Sequence, residues 1–181
     1  MSSSALRRTI HLSTALLVLV GEFIGWGTFR VWISGLAAVA MVFELLRLRN
    51  PRLGGVLSRA VPAFRPEESR KPSGAFWLAL GYVGAAWVPA PGAAAGILVG
   101  AIADPTASLV GRRWGGGAPK SWLGSLAAMV ASLGVLSLLG LPLVTIGVAS
   151  AAAAAIERWS KPLDDNLVLA PGVAAVVWFS V

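Results

Sequence analysis

The chain has 181 residues and a formal net charge of +7, yet only 13% of its residues are charged and 56% are hydrophobic. A soluble domain carries about 25% charged residues, so this composition points to an integral membrane protein. The absence of cysteine excludes a disulfide scaffold and a thiolate metal site, and the single histidine, His11, excludes a His-rich metal centre. The basic residues lie between apolar runs rather than on a polar face interleaved with aromatics. They fit anionic lipid headgroups and a polyphosphate, and no nucleic-acid partner is expected.

Hydropathy patterning predicts an all-α membrane bundle of about seven transmembrane helices, over residues 10–28, 31–47, 73–90, 92–111, 121–140, 142–158 and 166–181. Several fall short of the ~20 residues that a perpendicular helix needs to cross the hydrocarbon core, so compact packing is expected. The first apolar run leads into Glu22 and Gly25-Trp26-Gly27 without an Ala-x-Ala cleavage site, and reads as a retained span. Fourteen of the fifteen basic residues fall before the first span or on alternate loops, and only Arg30 falls on the opposite side. The positive-inside rule then places the N-terminus in the cytoplasm and the C-terminus outside the cytoplasmic membrane.

Residues 48–72, which include Pro66, Glu67 and Glu68, form the long cytoplasmic connection. This segment reads as a surface helix, as a lid over a site, or as a basic tether on anionic lipid. Glu44 and Arg47, three apart just before it, are placed to pair. The outer connections, Pro89-Ala90-Pro91-Gly92 and Gly140-Leu141-Pro142, are minimal. No internal repeat or second domain is visible, so residues 1–181 read as one polytopic domain.

The chemistry concentrates in residues 104–125. Gly96, Gly100, Asp104 and Ser108 recur every four residues, so they stack on one helix face where small residues admit a close neighbour. Asp104 therefore points into the bundle, and Pro105 favours a kink beside it. Eight residues separate Asp104 from Arg112, roughly 12 Å along a helix, which puts the acid within reach of a cytosolic nucleotide. Arg112, Arg113 and Gly115-Gly116-Gly117 follow. Pro119, Lys120 and Ser121 then open the next helix, whose N-terminus favours an anion, with Ser121 also suited to capping it. Ser121 and Ser125 share a face. Glu157 closes the sixth span, and Asp164, Asp165 and Asn166 open the seventh; helix capping and acid or metal chemistry are both open for that cluster.

The order and spacing of these residues resemble the CTP-dependent lipid kinases, which include dolichol kinases, phytol kinases and CTP-type diacylglycerol kinases. The resemblance lies in Asp104-Pro105-Thr106-Ala107-Ser108 with Gly111, Arg112 and Gly115, then in Lys120-Ser121-Trp122-Leu123-Gly124-Ser125. It extends to Glu157 with Asp165-Asn166, and to Arg7-Arg8-Thr9-Ile10-His11 near the N-terminus. Leu123 departs from it, standing where the family usually has Glu. The resemblance implies CTP as donor, Mg²⁺ or another divalent cation as cofactor, and a membrane lipid alcohol as acceptor: a polyprenol, a phytol-type isoprenoid or diacylglycerol.

It further implies catalytic roles for Asp104, Lys120 and Asp165, and metal ligation by Asp104, Glu157 and Asp165. Nucleotide or phosphate binding would fall to Arg112, Gly115, Lys120, Ser121, Gly124, Ser125 and Asn166, with Arg8, His11, Ser108 and Gly111 as further motif positions. Whether Asp104 is base or metal ligand stays open. A lipid cytidylyltransferase that releases pyrophosphate is the enzymatic alternative. A small transporter is the other, but the ionisable residues gather on one side of the membrane, which suits an enzyme better than a transport path.

Overall fold

The computed structural model describes residues 3–60, 66–116 and 120–181, and every regular element among them is helical. Arg65, Gly117 and Pro119 lie outside the described residues, as do the side chains of Arg59, Pro66 and Glu67.

The first predicted span is two helices, α1 (Ser3–Ser13) and α2 (Leu16–Ile24). The amides of Thr14 and Ala15 close onto the carbonyls of His11 and Leu12, each at 3.1 Å, tightening the chain into i→i+3 turns. The Thr14 hydroxyl donates to the same His11 carbonyl at 2.5 Å and accepts from the Tyr82 hydroxyl at 2.6 Å. One threonine thus breaks the helix and fastens the break to a distant element. Gly25, at φ +82°, then turns the chain directly into α3 (Trp26–Arg49), a conformation that glycine adopts freely.

Among the described residues of 48–72, most are helical. Asn50 and Pro51 are a suitable cap and first-turn residue for α4 (Pro51–Ala60), and the Asn50 side-chain oxygen accepts from the amides of Arg52 and Leu53 at 3.1 and 3.3 Å. A 3-10 turn follows at Pro66–Arg70. It lies so close to α4 that a Cβ on Gly54 would stand 2.8 Å from the Ser69 carbonyl oxygen.

The other helices are α5 (Gly74–Ala86), α6 (Gly92–Trp114), α7 (Trp122–Ser137), α8 (Leu143–Trp159) and α9 (Asp165–Ser180). Helix α6 runs through Pro105 as one element. Helix α9 packs against α5, α6 and α8, and α6 also packs along α7. At two points helix backbones meet directly. A Cβ added at Gly96 would lie 2.3 Å from the Ala170 carbonyl oxygen, and one at Gly81 would lie 2.1 Å from that of Asn166. The small-residue face read on α6 is therefore the seam with α9. Around these seams lie two apolar clusters, one of α6 to α9 residues such as Val99, Leu136 and Val173, the other joining α2, α3 and α5 through Phe29, Ile33 and Tyr82.

Large apolar side chains also face outward, among them Phe23, Val39, Leu138, Leu143 and Phe179. Helices α3 and α6 are long and apolar enough to cross a membrane, and α5, α7 and α9 are shorter apolar helices.

The connection between α3 and α5 is anchored by charge. Glu44 and Arg47 are both buried and pair through two bonds, Nε to Oε2 at 2.9 Å and an Nη to Oε1 at 2.6 Å. Arg47 also donates to the carbonyls of Glu68 and Lys71 at 2.5 and 2.7 Å, and Glu44 accepts from the Ser73 amide at 2.5 Å. Removing one partner leaves the other as an uncompensated buried charge, which costs ~3–5 kcal/mol. Glu44→Gln and Arg47→Met are each expected to lower stability by about that amount in detergent denaturation. Exposed Arg49→Gln should stay within ~0.5 kcal/mol of the parent.

Candidate functional site

Helix α6 carries Asp104 to a cavity of about 810 Å³. Its lining gathers residues that are far apart in sequence: Arg8 and His11 from α1, Asp104, Ser108, Gly111 and Arg112 from α6, Lys120 and Ser121 ahead of α7, and Glu157, Asp165 and Asn166 from α8 and α9. Of the residues assigned by resemblance, Gly115, Gly124 and Ser125 are not part of this lining.

Lys120 is the hub. Its ammonium sits 2.7 Å from Asp165 Oδ2 and 3.7 Å from Glu157 Oε1, and donates to the Glu157 carbonyl and the Ser160 hydroxyl. Glu157 is buried, and its Oε2 accepts from the Ser125 hydroxyl at 2.7 Å. Arg158 donates to the Lys120 carbonyl at 3.0 Å while its guanidinium lies 4.8 Å over the Trp122 ring. The lysine is thus fixed at both its side chain and its backbone, and joins α7 to α8 and α9.

At the other wall, His11 Nε2 lies 3.1 Å from the Gly100 carbonyl oxygen, and Nδ1 lies 3.5 Å from Asp104 Oδ2. A carbonyl only accepts, so Nε2 carries the hydrogen. Nδ1 then faces the carboxylate either as a lone pair or as the second N–H of an imidazolium. Arg112 is held by Ser108, through Nε to the carbonyl at 3.1 Å and an Nη to the hydroxyl at 2.6 Å. Its guanidinium stays exposed on the cavity wall.

The glycines of the motif have packing work. A Cβ on Gly111 would lie 2.9 Å from Ser121 Oγ, one on Gly115 2.3 Å from the same atom, and one on Gly124 3.0 Å from the Ala107 carbonyl oxygen. These three positions bring the end of α6 onto the start of α7. Ser121 caps α7, accepting from the Gly124 amide at 3.0 Å. Asp164 caps α9, accepting from the Asn166 amide and side-chain nitrogen at 3.0 and 2.9 Å. The other side-chain atom of Asn166, Oδ1, is buried without a partner.

The cavity also contains Arg7 and Asp164, which neighbour the motif positions in sequence, and residues that the motif spacing does not single out: Glu68, Lys71, Ser73 and Gly74. Glu68 accepts from the Gly74 amide at 3.1 Å, so the end of the connection between α3 and α5 is a wall of the site. The sequence signal for this wall was the Glu44–Arg47 spacing, since a buried ion pair must satisfy its spare hydrogen-bonding groups on some nearby backbone.

The acidic groups enter from α6, α8, the start of α9 and, at Glu68, the 3-10 turn. At the position of Leu123, which is half exposed, no carboxylate enters from α7. The donor chemistry of Asp104, Glu157, Asp165 and the Asn166 oxygen fits a hard divalent cation. Among the described residues no three acidic or histidine side chains converge tightly enough to hold one alone. Such a set suits Mg²⁺ bound by one or two carboxylates plus the phosphates of a substrate.

No family model and no solved structure matches the chain. The chain is similar to a phytol kinase. It is 37% identical over 100 residues to the phytol kinase of Synechocystis sp., a match that covers 48% of this chain and 43% of that relative. The matched stretch therefore spans less than half of either protein. The similarity supports the resemblance to lipid kinases carried by residues 104–125, at the level of a kinase with an alcohol acceptor.

Burial pushes the Asp164 carboxyl above its ordinary value, with the Asp165 charge adding to the rise and the bonds from Asn166 opposing it. The folded chain then holds this proton more tightly than the unfolded chain. Stability should fall as pH rises from the ordinary carboxyl value of about 4 through the raised one. Asp164→Asn keeps a capping side chain and removes that slope, which thermal melts across the acidic range in chelator will read.

Proposed function

We propose that the chain is a CTP-dependent lipid kinase, which transfers the γ-phosphate of CTP to the hydroxyl of a membrane lipid alcohol. The observation that carries this reading is the cavity itself: cations suited to a polyphosphate face carboxylates suited to a metal and to a hydroxyl proton. Arg7, Arg8, Lys71, Arg112 and Lys120 supply the positive charge, and Glu68, Asp104, Glu157, Asp164 and Asp165 the negative. The similarity to a phytol kinase supports the same reaction class.

In this reading the chain is a polytopic bundle of about seven spans in the cytoplasmic membrane, N-terminus inside, with the outward apolar side chains against lipid and the site at the cytoplasmic face. Arg112 and Lys120 hold donor phosphates, beside the N-terminus that Ser121 caps. Asp104, Asp165 and Glu157 face them. When bound, Mg²⁺ would neutralise charge on the phosphates. The protein's own part is to orient donor and acceptor and to take up the hydroxyl proton at a carboxylate, Asp104 or Asp165.

The test is a phosphotransfer assay in detergent that crosses CTP and ATP with a polyprenol, phytol and diacylglycerol. The expected products are CDP and a phosphorylated lipid, with CTP preferred over ATP and activity lost in excess chelator. Release of pyrophosphate would instead identify a cytidylyltransferase. Asp104→Asn should lower turnover at least ~10²-fold, the lower end of what a positioned acid–base group contributes, while the protein stays monodisperse. Full activity in that variant would remove Asp104 from the site. A tag placed after Val181 should be reachable only from outside the membrane, and one between residues 48 and 72 only from the cytoplasm.

A further inference from the structure

A second hollow of about 710 Å³ abuts the first. The two share Lys120, Asp164 and Asp165 and little else. The larger one is walled by arginines, whereas the smaller is bounded by Trp77, Pro162, Leu163 and Leu167, with Ser160 and Lys161. Trp77 is on the first turn of α5 and Leu167 on the first turn of α9, so this hollow lies between two apolar helices and the loop that joins α8 to α9. Leu163 is exposed on that loop, which leaves the hollow open at the side.

We infer that this smaller hollow receives the apolar chain of the acceptor alcohol, while the larger cavity receives the nucleotide. The inference rests on the kinase reading and adds to it where each substrate enters. A polyphosphate needs the cations of the larger cavity, and a greasy alcohol needs the indole and leucines of the smaller one. Phosphoryl transfer also requires the attacking oxygen and the leaving oxygen to approach from opposite sides of phosphorus. Two hollows that meet at one ion pair provide those two sides.

The acceptor hydroxyl arrives beside Asp165. Its oxygen forms a bond to the terminal phosphorus as the bond from that phosphorus to the bridging oxygen breaks. The nucleoside diphosphate leaves with the bridging electron pair, and the hydroxyl proton passes to the Asp165 carboxylate. Lys120, already 2.7 Å from that carboxylate, stays beside the transferred group and offsets its charge.

The test uses the full chain in detergent and a long-chain alcohol that carries a photoreactive diazirine. Crosslinks are mapped by mass spectrometry without nucleotide, and turnover is measured separately. Labelling of Trp77, Leu163 or Leu167 that unlabelled phytol suppresses is the expected result. Labelling confined to Ile10 and Leu78 in the larger cavity, or spread over the lipid-facing side chains, would overturn the inference. Leu163→Ala, on an exposed loop where folding is not at stake, and Trp77→Ala should raise the apparent KM for a long-chain alcohol roughly tenfold, the scale of a lost apolar pocket contact. The KM for nucleotide should stay unchanged; an equal rise in both would also overturn the inference. Labelling of the small hollow without phosphotransfer from any nucleotide would keep the binding site and reject the kinase. Transfer with labelling elsewhere would do the reverse.

Discussion

Helix α9 lies against α5 and α6 with almost no side chain between them, and the rest of the site depends on that closeness. Gly81 leaves room for the Asn166 carbonyl, and Gly96 for the Ala170 carbonyl. Both are places where a methyl group would strike backbone, which cannot swing aside as a side chain can. The first turn of α9 is thereby set in place, and with it Asp165 and Asn166. Only then does Lys120, arriving from the start of α7, meet Asp165 and Glu157 at bonding distance. In a membrane, where apolar surface has little to gain by leaving lipid, such intimate van der Waals contact is the main force available for holding helices together.

Charge does the remaining positioning, and it is placed where water is scarce. The Arg47 guanidinium is fully buried, and its bonds to Glu44, Glu68 and Lys71 fix the end of the connection between α3 and α5. Lys120 plays the same part for α7, α8 and α9. A planar fork with several fixed donors suits the first task, joining one carboxylate and two carbonyls. A point charge on a flexible stem suits the second, where the two carboxylates and the carbonyl come from two different helices.

Much of this was legible in the residues, and the gaps have physical causes. The four-residue recurrence of Gly96, Gly100, Asp104 and Ser108 announced a close seam, but periodicity on one helix does not name its partner, which is α9. The division at Thr14 turned on a single hydroxyl bonding three residues back, and the turn at Gly25 on one positive φ. Neither alters the apolar pattern that predicted one span over 10–28. Helix α4 was one of several readings of residues 48–72, because its glycines are poor helix formers; Asn50 and Pro51 were the local sign that it would form. Motif resemblance read Gly111, Gly115 and Gly124 as chemistry, and packing gives each a second reason to be glycine. Glu68 and Lys71 entered the cavity through tertiary contacts of Arg47; the Glu44–Arg47 spacing signalled a pair but did not name those partners.

Helix length carries a further consequence. Helix α5 has 13 residues, and α7 and α9 have 16 each, or about 20 and 24 Å of axial rise. A bilayer core is ~30 Å thick, so in the proposed membrane bundle lipid around these helices would pinch inward to meet them. That dimple would lower the headgroup plane toward the first turns of α5 and α9, where the small hollow opens. A lipid alcohol would then meet Asp165 by drifting sideways within its own leaflet rather than by being hoisted into water. The elastic cost of such a dimple would grow with acyl-chain length, and would tie the accessibility of the site to the thickness of the surrounding membrane.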